Sequence, residues 1–469
     1  MPFLRETYAA INAFGIVCLT RDGIGPYCNR HNTRDFHIIY MAYRVKCRRK
    51  VVILQSKYEL SPIMIKILIN KLGRIRNADI EVKPFMVFTG DSGLGKSYTA
   101  FLVDYLYNVI ASDRVKFFVR ERMRSMSKDE QDKGFSFTFG ELRKWMRNDV
   151  SQYLGYLIGN DSFSCDVEYI FDLPDEEVFE ISVVYVGIHV RLSIGKKNVF
   201  FPKEYDDWED MYRRTINASL CIKLLQRQDL KPILLPPARG AFVGTKNAES
   251  IGLYKGKLIP LLDRLSNAPE HRSADNKLFH DAIQQLTGGE LVVREGSLYL
   301  SLSSGRTIIP ISAAASSVKE LAPLLRLLLI AEYLDDYSIL FEEPEAHVHS
   351  KNQDVLADLI ARLHRRGMQF QITTHSDYLL SRFNQLIRFG KMWQADKNRF
   401  ELFCKDNHIA SDLYLLPDEV AACYFCESAD GYVSIKNQDT SDGIPFTTFH
   451  DIVTRQERVD DQIESMMEG

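Results

Sequence analysis

A glycine-rich segment has the residue types and the spacing needed to hold phosphate groups. It lies between an apolar run and a stretch with helical periodicity, and it consists of Gly90, Asp91, Ser92, Gly93, Leu94, Gly95, Lys96 and Ser97. Glycines allow backbone N–H groups to surround phosphates at the positive end of the following helix. Lys96 would reach the β- and γ-phosphates, and the Ser97 hydroxyl would be a Mg²⁺ ligand. These eight residues and Tyr98 are predicted to bind ATP or GTP.

Two adjacent carboxylates follow a second apolar run. Residues 337–341 lead into Glu342 and Glu343, as expected for a strand that delivers acidic groups to the edge of a nucleotide site. Glu342 is predicted to hold Mg²⁺ through its water shell, and Glu343 to polarise the attacking water as general base. The alternative is a solvated pair in a loop, which Pro344 and the preceding apolar run disfavour.

A third apolar run ends in a histidine. Residues 370–374 precede His375, which follows the carboxylates at the distance of one helix and one strand. If the two strands are neighbours, His375 would lie beside the glutamates and could hydrogen-bond the γ-phosphate or the attacking water. A lone histidine at a strand end is more often structural, so this alternative stays open.

Together these segments resemble the ATP-binding-cassette (ABC) class of P-loop ATPases. The amino-acid sequence at residues 342–349 and 373–376 resembles one branch of this class. That branch includes the overcoming-lysogenisation-defect (OLD) nucleases and the recombination and chromosome-maintenance ATPases. The resemblance covers residues 64–469. It implies an α/β fold, with a mixed sheet flanked by helices and a helical and β insertion. It also implies an AAA-type ATPase that uses ATP and Mg²⁺, with Walker A and Walker B motifs at the two sites described above.

In this family two ATPase domains enclose two nucleotides, and a signature segment of one subunit closes the site of the other. The matching signature segment here is 314–321, where Ser316 and Ser317 would contact the partner's γ-phosphate. An ordinary helix cap is the equal alternative. Val318 stands where many relatives have glycine, and Glu342 where many have aspartate. We therefore expect ATP binding with slow turnover.

Shorter elements agree with the same family. Residues 236–239 resemble the Pro-x-x-Arg element that precedes the signature, although they could form any turn. Residues 291–300 predict a hairpin with Glu295-Gly296 at its turn, as expected ahead of the signature. Only about ninety residues follow His375, which is short for a fused nuclease domain. We expect this C-terminal part to complete the ATPase fold.

Four regions are predicted along the chain. Residues 64–118 form the first part of the ATPase core, with the phosphate loop at residues 90–97. Residues 119–230 form an insertion or arm, helical at 137–157 and 207–228 with hairpins over 167–201. Residues 231–469 form the second part of the core, with the signature, the carboxylates and His375. Residues 1–63 form a basic extension.

The basic extension differs in character from the rest of the chain. Up to Tyr58 it carries ten Lys or Arg residues against three acidic ones. Because a family-like strand begins near Met64, we expect Met64 to be the initiator, with residues 1–63 disordered or not translated. The competing interpretation is a basic arm that contacts nucleic acid.

Composition limits the functional classes. The chain has 469 residues, is 45% hydrophobic and has a formal charge of −3, which predicts an ordinary globular protein. No apolar run approaches the ~20 residues that cross a bilayer, so no membrane association is expected. The eight cysteines are scattered, and only Cys423 and Cys426 form a C-x-x-C pair. This pattern predicts reduced thiols and a cytoplasmic protein.

The resemblance leads to a functional hypothesis. It implies an ATPase that forms a dimer or larger homo-oligomer around ATP and controls a separate effector protein such as a nuclease, as in two-component anti-phage systems. The alternative is a DNA-repair or chromosome-associated ATPase with nucleic acid as its partner. A transporter ATPase is disfavoured because residues 315–318 replace the Leu-Ser-Gly-Gly signature of transporters.

Overall fold

The computed structural model describes residues 63–467, except 125, 128–129, 131–132, 188, 196, 244–250, 270–275, 295–296, 303–306 and 446–447. The basic extension up to residue 62 and the hairpin turn at Glu295-Gly296 lie outside the described residues.

The strands, numbered in chain order, are β1 Ile65–Leu72, β2 Ile75–Glu81, β3 Phe85–Gly90, β4 Gly134–Thr138, β5 Cys165–Phe171, β6 Val178–Val186, β7 His189–Ile194, β8 Lys197–Pro202, β9 Lys231–Leu235, β10 Gly289–Arg294, β11 Ser297–Leu302, β12 Ile308–Pro310, β13 Tyr337–Glu342, β14 Gln369–Thr373, β15 Val420–Glu427 and β16 Val433–Gln438. The α-helices are α1 Lys96–Ala111, α2 Val115–Met123, α3 Phe139–Ile158, α4 Trp208–Leu225, α5 Ile259–Asn267, α6 Asn276–Thr287, α7 Ser316–Ile330, α8 Ser350–Arg365, α9 Asp377–Ala395, α10 Lys397–Asp406 and α11 Thr448–Met467.

The largest sheet of the described residues has nine strands in the order β5-β1-β2-β16-β15-β3-β14-β13-β9. Strands β15, β3, β14, β13 and β9 are parallel to one another. The remaining neighbours include antiparallel pairs, β16 with β15 and β1 with both β2 and β5. Because parallel strands share one orientation, the carboxyl ends of β3, β14 and β13 meet at the same edge of the sheet.

Helices cover both faces of this sheet. The side chains of β3 alternate between two hydrophobic clusters, with Met86 and Phe88 in one and Phe85 and Val87 in the other. The first cluster includes residues of α1, α3 and α4, and the second includes residues of α7, α8 and α9. Burial on both faces explains why β3 and β13 are apolar runs without alternation. The predicted α/β fold, a mixed sheet flanked by helices, is confirmed.

The region 119–230 contributes to two sheets. Strand β5 pairs with β1 at the edge of the main sheet, whereas β4, β6, β7 and β8 form a separate antiparallel sheet. The helices predicted at 137–157 and 207–228 are α3 and α4, and the predicted hairpins are present in β6, β7 and β8. Helix α3 begins with a capping box between Thr138 and Glu141, which satisfies two backbone N–H groups.

The C-terminal part completes the main sheet. Strands β15 and β16 form a hairpin between β3 and β2, as the sequence predicted for a tail that finishes the core. The hairpin ahead of α7 is also present, since β10 and β11 pair from Gly289 to Arg294. Among the helices of the described residues, none combines the length and apolar character needed to cross a bilayer.

Candidate active site

The phosphate loop joins the central strand β3 to helix α1. Gly90 has φ 122°, and a Cβ at this position would lie 2.3 Å from the carbonyl oxygen of Phe425 in β15. Gly95 has φ 91°, and a Cβ there would lie 2.9 Å from Cδ1 of Ile75. Both positions therefore require glycine, for backbone conformation and for space. The loop therefore packs closely against β15 and β2 at the carboxyl end of β3.

Lys96 is the first residue of α1 and is almost fully buried beneath the loop. Its ammonium donates to the carbonyl oxygens of Gly90 at 2.8 Å and Asp91 at 2.7 Å. Burial lowers the pKa of Lys96 to about 8, against the opposing effect of Glu343 and other nearby carboxylates. A buried cation inside a glycine loop is well placed to neutralise phosphate charge.

The other predicted loop residues differ in exposure. Asp91, Ser92 and Gly93 are exposed, Leu94 is buried, and Ser97 is half-buried. Tyr98 is 37% exposed, with its ring centroid 6.0 Å from that of Phe163. The exposed residues are thus at the tip of the loop, and Ser97 lies further inside.

Glu342 ends β13 and is only 1% exposed. Burial raises the pKa of its carboxyl to about 7, although a hydrogen bond from the Ser97 hydroxyl lowers it. Its Oε1 is buried and accepts no hydrogen bond from the described residues. A carboxylate with one unpaired oxygen beside a serine hydroxyl suits Mg²⁺, which is usually held by one or two protein ligands together with phosphates and water.

No group of three or more His, Cys, Asp or Glu side chains within the described ranges is arranged to hold a metal ion. This is compatible with Mg²⁺ at Ser97 and Glu342, because nucleotide phosphates supply the remaining ligands in such sites. The residues therefore fit a Mg²⁺-nucleotide site and not an all-protein metal cage.

Glu343 lies in a strained turn directly after β13. Its φ is 44°, which is unusual for a residue with a side chain. Its backbone N–H donates to the carbonyl oxygen of Thr373 at 2.9 Å, which fixes this turn against β14. Strained residues of this kind concentrate at functional sites. The turn leaves the Glu343 side chain half-buried, and its charge acts on both Lys96 and His375.

His375 lies beside the carboxylates, because β13 and β14 are parallel neighbours with Glu342 opposite Thr373. The sequence analysis required these two strands to be neighbours, and they are. Its backbone N–H donates to Oε1 of Glu345 at 2.8 Å, and the Thr374 hydroxyl donates to the same oxygen at 2.8 Å. Burial and Lys96 lower the pKa of His375, so the neutral ring is favoured.

Sequence reasoning assigned no role to Glu345. The structure shows that its carboxylate fastens the His375 turn to the Glu343 turn, and burial raises its pKa. The signal was present in the sequence, because Glu345 belongs to the acidic run after β13. Its hydrogen-bond partners lie 29 and 30 residues further along the chain and could not be assigned without the strand pairing.

The predicted signature serines start helix α7. Ser316 is exposed, Ser317 is half-buried and Val318 is packed into the core. Helix α7 lies against the turn that contains Arg239. This turn follows β9, which is three strands from β3, so it is separated from the phosphate loop by roughly 14 Å of sheet. Helix α7, which begins with the serines, therefore packs against a turn that is distant from the phosphate loop along the sheet edge.

The affinity for Mg²⁺-ATP is expected to be highest between about pH 7 and pH 8. As the pH falls through the pKa of Glu342, the carboxylate is protonated and stops being a metal ligand. As the pH rises through the pKa of Lys96, the ammonium loses the charge that attracts phosphate. Titration calorimetry across this range measures both limbs. Glu342→Gln should remove only the acidic limb, and a flat wild-type profile would contradict both assignments.

Comparison with protein-family models matches residues 254–380 to the AAA ATPase domain. This range contains Ser316, Ser317, Glu342, Glu343 and His375, and it begins after the phosphate loop. A search of curated protein sequences finds no match.

Solved structures similar to this chain include three Smc head domains. One is the Smc head bound to the C-winged helix domain of ScpA, with 12% identity, a TM-score of 0.37 and coverage of 81% of this chain and 98% of that chain. The SMC head domain from Thermotoga maritima has 14% identity and a TM-score of 0.33, over 80% and 98%. A Smc head with an extended coiled coil, bound to the C-terminal domain of ScpA derived from Pyrococcus furiosus, has 12% identity and a TM-score of 0.36, over 85% and 100%.

The matched AAA ATPase domain supplies β13 and β14, which lie beside the phosphate-loop strand β3 in one sheet. Together, the match and the sheet show an α/β fold, a mixed sheet flanked by helices, in which residues 254–380 are similar to the AAA ATPase domain.

Proposed function

We propose that this protein binds ATP with Mg²⁺ and hydrolyses it to ADP and phosphate. The observation that carries the proposal is the convergence of three strand ends at one edge of the sheet. Glu343 there is close enough to Lys96 and to His375 to affect the pKa of both. This edge, at the carboxyl ends of parallel strands, is where α/β proteins bind nucleotides.

Each residue has a separate task in this reaction. The loop N–H groups and Lys96 bind the phosphates, and Ser97 and Glu342 would hold Mg²⁺, which neutralises phosphate charge when bound. Glu343 accepts a proton from the attacking water while the oxygen of that water forms a bond to the γ-phosphorus. The bond from the γ-phosphorus to the bridging oxygen breaks, and ADP keeps the electron pair. Neutral His375 donates a hydrogen bond to the γ-phosphate or orients the water.

We also propose that two subunits enclose the nucleotides, with Ser316 and Ser317 of each closing the site of the other. They start α7, a helix that packs against the turn after β9, and β9 lies three strands from β3, which supports this arrangement. The free N–H groups at the start of a helix can bind a γ-phosphate together with the serine hydroxyls.

Ser317→Arg is expected to prevent this assembly without weakening ATP binding to one subunit. The long cation would occupy the space that the partner's phosphate needs. In light scattering, Mg²⁺-ATP should raise the mass of the unmodified protein and leave the variant unchanged. Ser312→Arg is the control, because Ser312 is exposed and lies just before the signature segment. Normal assembly by Ser317→Arg would refute the role of the serines.

The biological proposal is that the ATP-bound assembly controls a separate effector protein, such as a nuclease in anti-phage defence. It is supported by the resemblance of the motifs to that branch. The competing proposal, a chromosome-associated or repair ATPase, is favoured by the basic composition of residues 1–58. Duplex DNA binding by the full chain that weakens steeply with salt would support the second proposal. Salt-independent or absent DNA binding would leave the first.

A further inference from the structure

Arg239 is a buried arginine that contacts both helix α7, which begins with the signature serines, and the residue before Glu343, the proposed general base. Arg239 is completely buried, and burial lowers the pKa of its guanidinium to about 10, although Glu320 and other carboxylates oppose the shift. Its Nη1 donates to the carbonyl oxygens of Pro236 at 3.0 Å and Glu342 at 2.8 Å. Its Nε donates to the carbonyl oxygen of Glu320 at 2.8 Å. A buried charge is costly, and these three hydrogen bonds offset part of that cost.

The first contact holds the peptide group that precedes the strained Glu343. The carbonyl of this peptide belongs to Glu342 and accepts from Arg239, while its N–H belongs to Glu343 and donates to Thr373. Both ends of one peptide plane are thus held from opposite sides. Since this plane determines where the following side chain starts, Arg239 helps to aim the carboxylate of Glu343.

The second contact is made to the first part of α7. Glu320 follows Ser316 by four residues, and its carboxylate lies 3.6 Å from Nε of Arg239. Gly240 leaves room for this carboxylate, because a Cβ there would lie 2.8 Å from its Oε1. Pro323 lies inside α7 and removes the helical hydrogen bond to the Lys319 carbonyl. The turn that carries the serines is thus less tied to its own helix and is braced by Arg239.

We propose that Arg239 is a positioning residue that couples the signature serines to Glu343 of the same subunit. When the serines engage a partner's nucleotide, a shift of the first turn of α7 is transmitted through Arg239 to the peptide before Glu343. Nucleotide bound at one site of a dimer then affects hydrolysis at the other site. This inference rests on the proposed function, and it predicts cooperative hydrolysis that depends on Arg239.

Arg239→Met is the principal test, because methionine keeps much of the length and lacks every donor. We expect kcat to fall roughly tenfold, ATP affinity of the single subunit to stay within about twofold, and the dependence of rate on ATP to lose its sigmoidal shape. Arg239→Lys should restore part of kcat. A purely structural arginine would instead change the melting temperature without this separation of kcat from binding.

Arg326→Met is the matched control. Arg326 lies on α7, the helix that Arg239 contacts, and is 2% exposed. It also donates to backbone carbonyls, those of Leu265 at 3.0 Å and Ala268 at 2.7 Å. These contacts lead to α5 and away from Glu342. Its loss should lower stability and leave the shape of the rate profile unchanged.

Hydrogen exchange provides a readout that does not depend on turnover. Because coupling is reciprocal, ATP in a subunit's own site should act back through Glu343 and Arg239 on the start of α7. In the Ser317→Arg background, which keeps subunits apart, ATP should therefore slow exchange at residues 316–322. Adding Arg239→Met should abolish this response, whereas adding Arg326→Met should preserve it. If Arg239→Met is too unstable to purify, Glu320→Gln replaces it and should reduce the same response.

Three results would overturn the coupling. They are an unchanged exchange response in Arg239→Met, an equal loss in Arg326→Met, or no response of α7 in protein that does bind ATP. Absence of ATP binding in the wild type would overturn the proposed function itself, and the coupling with it. Nucleotide binding by the wild type therefore separates the two failures.

Discussion

Replacing Glu343 by Gln should stop hydrolysis while leaving ATP bound. Glutamine has nearly the same shape as glutamate, so the strained turn after β13 and its hydrogen bond to Thr373 should persist. It cannot accept a proton from water, and loss of a general base typically lowers kcat by about 10²–10⁴-fold. Phosphate release measures the rate. Light scattering should show that Mg²⁺-ATP raises the mass of the variant and that the assembled form persists.

Glu427→Gln is the matched control for this variant. Glu427 also ends a strand of the main sheet, but its carboxylate is exposed and pairs with Arg74. We expect its turnover to stay within about twofold of the wild type, as is usual for an exposed ion pair. If Glu343→Gln turned over ATP as fast as this control, Glu343 would not be the base. A mass that does not respond to ATP would indicate a constitutive oligomer or a site that does not close.

Replacing Lys96 by Ala should abolish tight nucleotide binding without destabilising the fold. Removing a buried, hydrogen-bonded cation from a phosphate site should weaken ATP affinity by roughly 100-fold or more. The effect on stability should be smaller than that of most core truncations. Burial lowers the pKa of Lys96 from 10.5 to about 8, so at neutral pH its charge is less favourable in the folded chain than in the unfolded chain.

Thermal melts and nucleotide titrations of the same samples measure both effects. The melting temperature of Lys96→Ala at neutral pH should stay close to that of the wild type, because the relieved cost of the buried charge offsets the loss of two hydrogen bonds. The matched control is Lys257→Ala, because Lys257 also donates to α1, to Oδ1 of Asn108 at 2.9 Å, away from the loop. This control should lower the melting temperature and keep ATP affinity. Unchanged ATP binding by Lys96→Ala would remove the phosphate loop from the proposed site.

The phosphate loop could be predicted from neighbouring residues, but its packing against other strands could not. The order and spacing of its glycines were sufficient to predict a loop between β3 and α1, because the backbone geometry of such a loop is encoded in contiguous residues. The contacts of Gly90 with Phe425 and of Gly95 with Ile75 were not predictable, because they depend on which strands flank β3. The sequence predicted helices α3 and α4, but not that β5, between them, joins the main sheet beside β1.

The candidate site shows the same division. The sequence alone determined the phosphate-loop residues, the paired carboxylates and an α/β core, because each is a pattern of neighbouring residues. Only the tertiary structure decided that His375 lies beside Glu343, that Glu345 fastens their turns, and that Arg239 reaches Glu320 and Glu342. The backbone carbonyls of Glu320 and Glu342 that accept from Arg239 are 81 and 103 residues away from it in the chain. Contacts over such separations follow from strand order and register, which are properties of the whole sheet and not of any one segment.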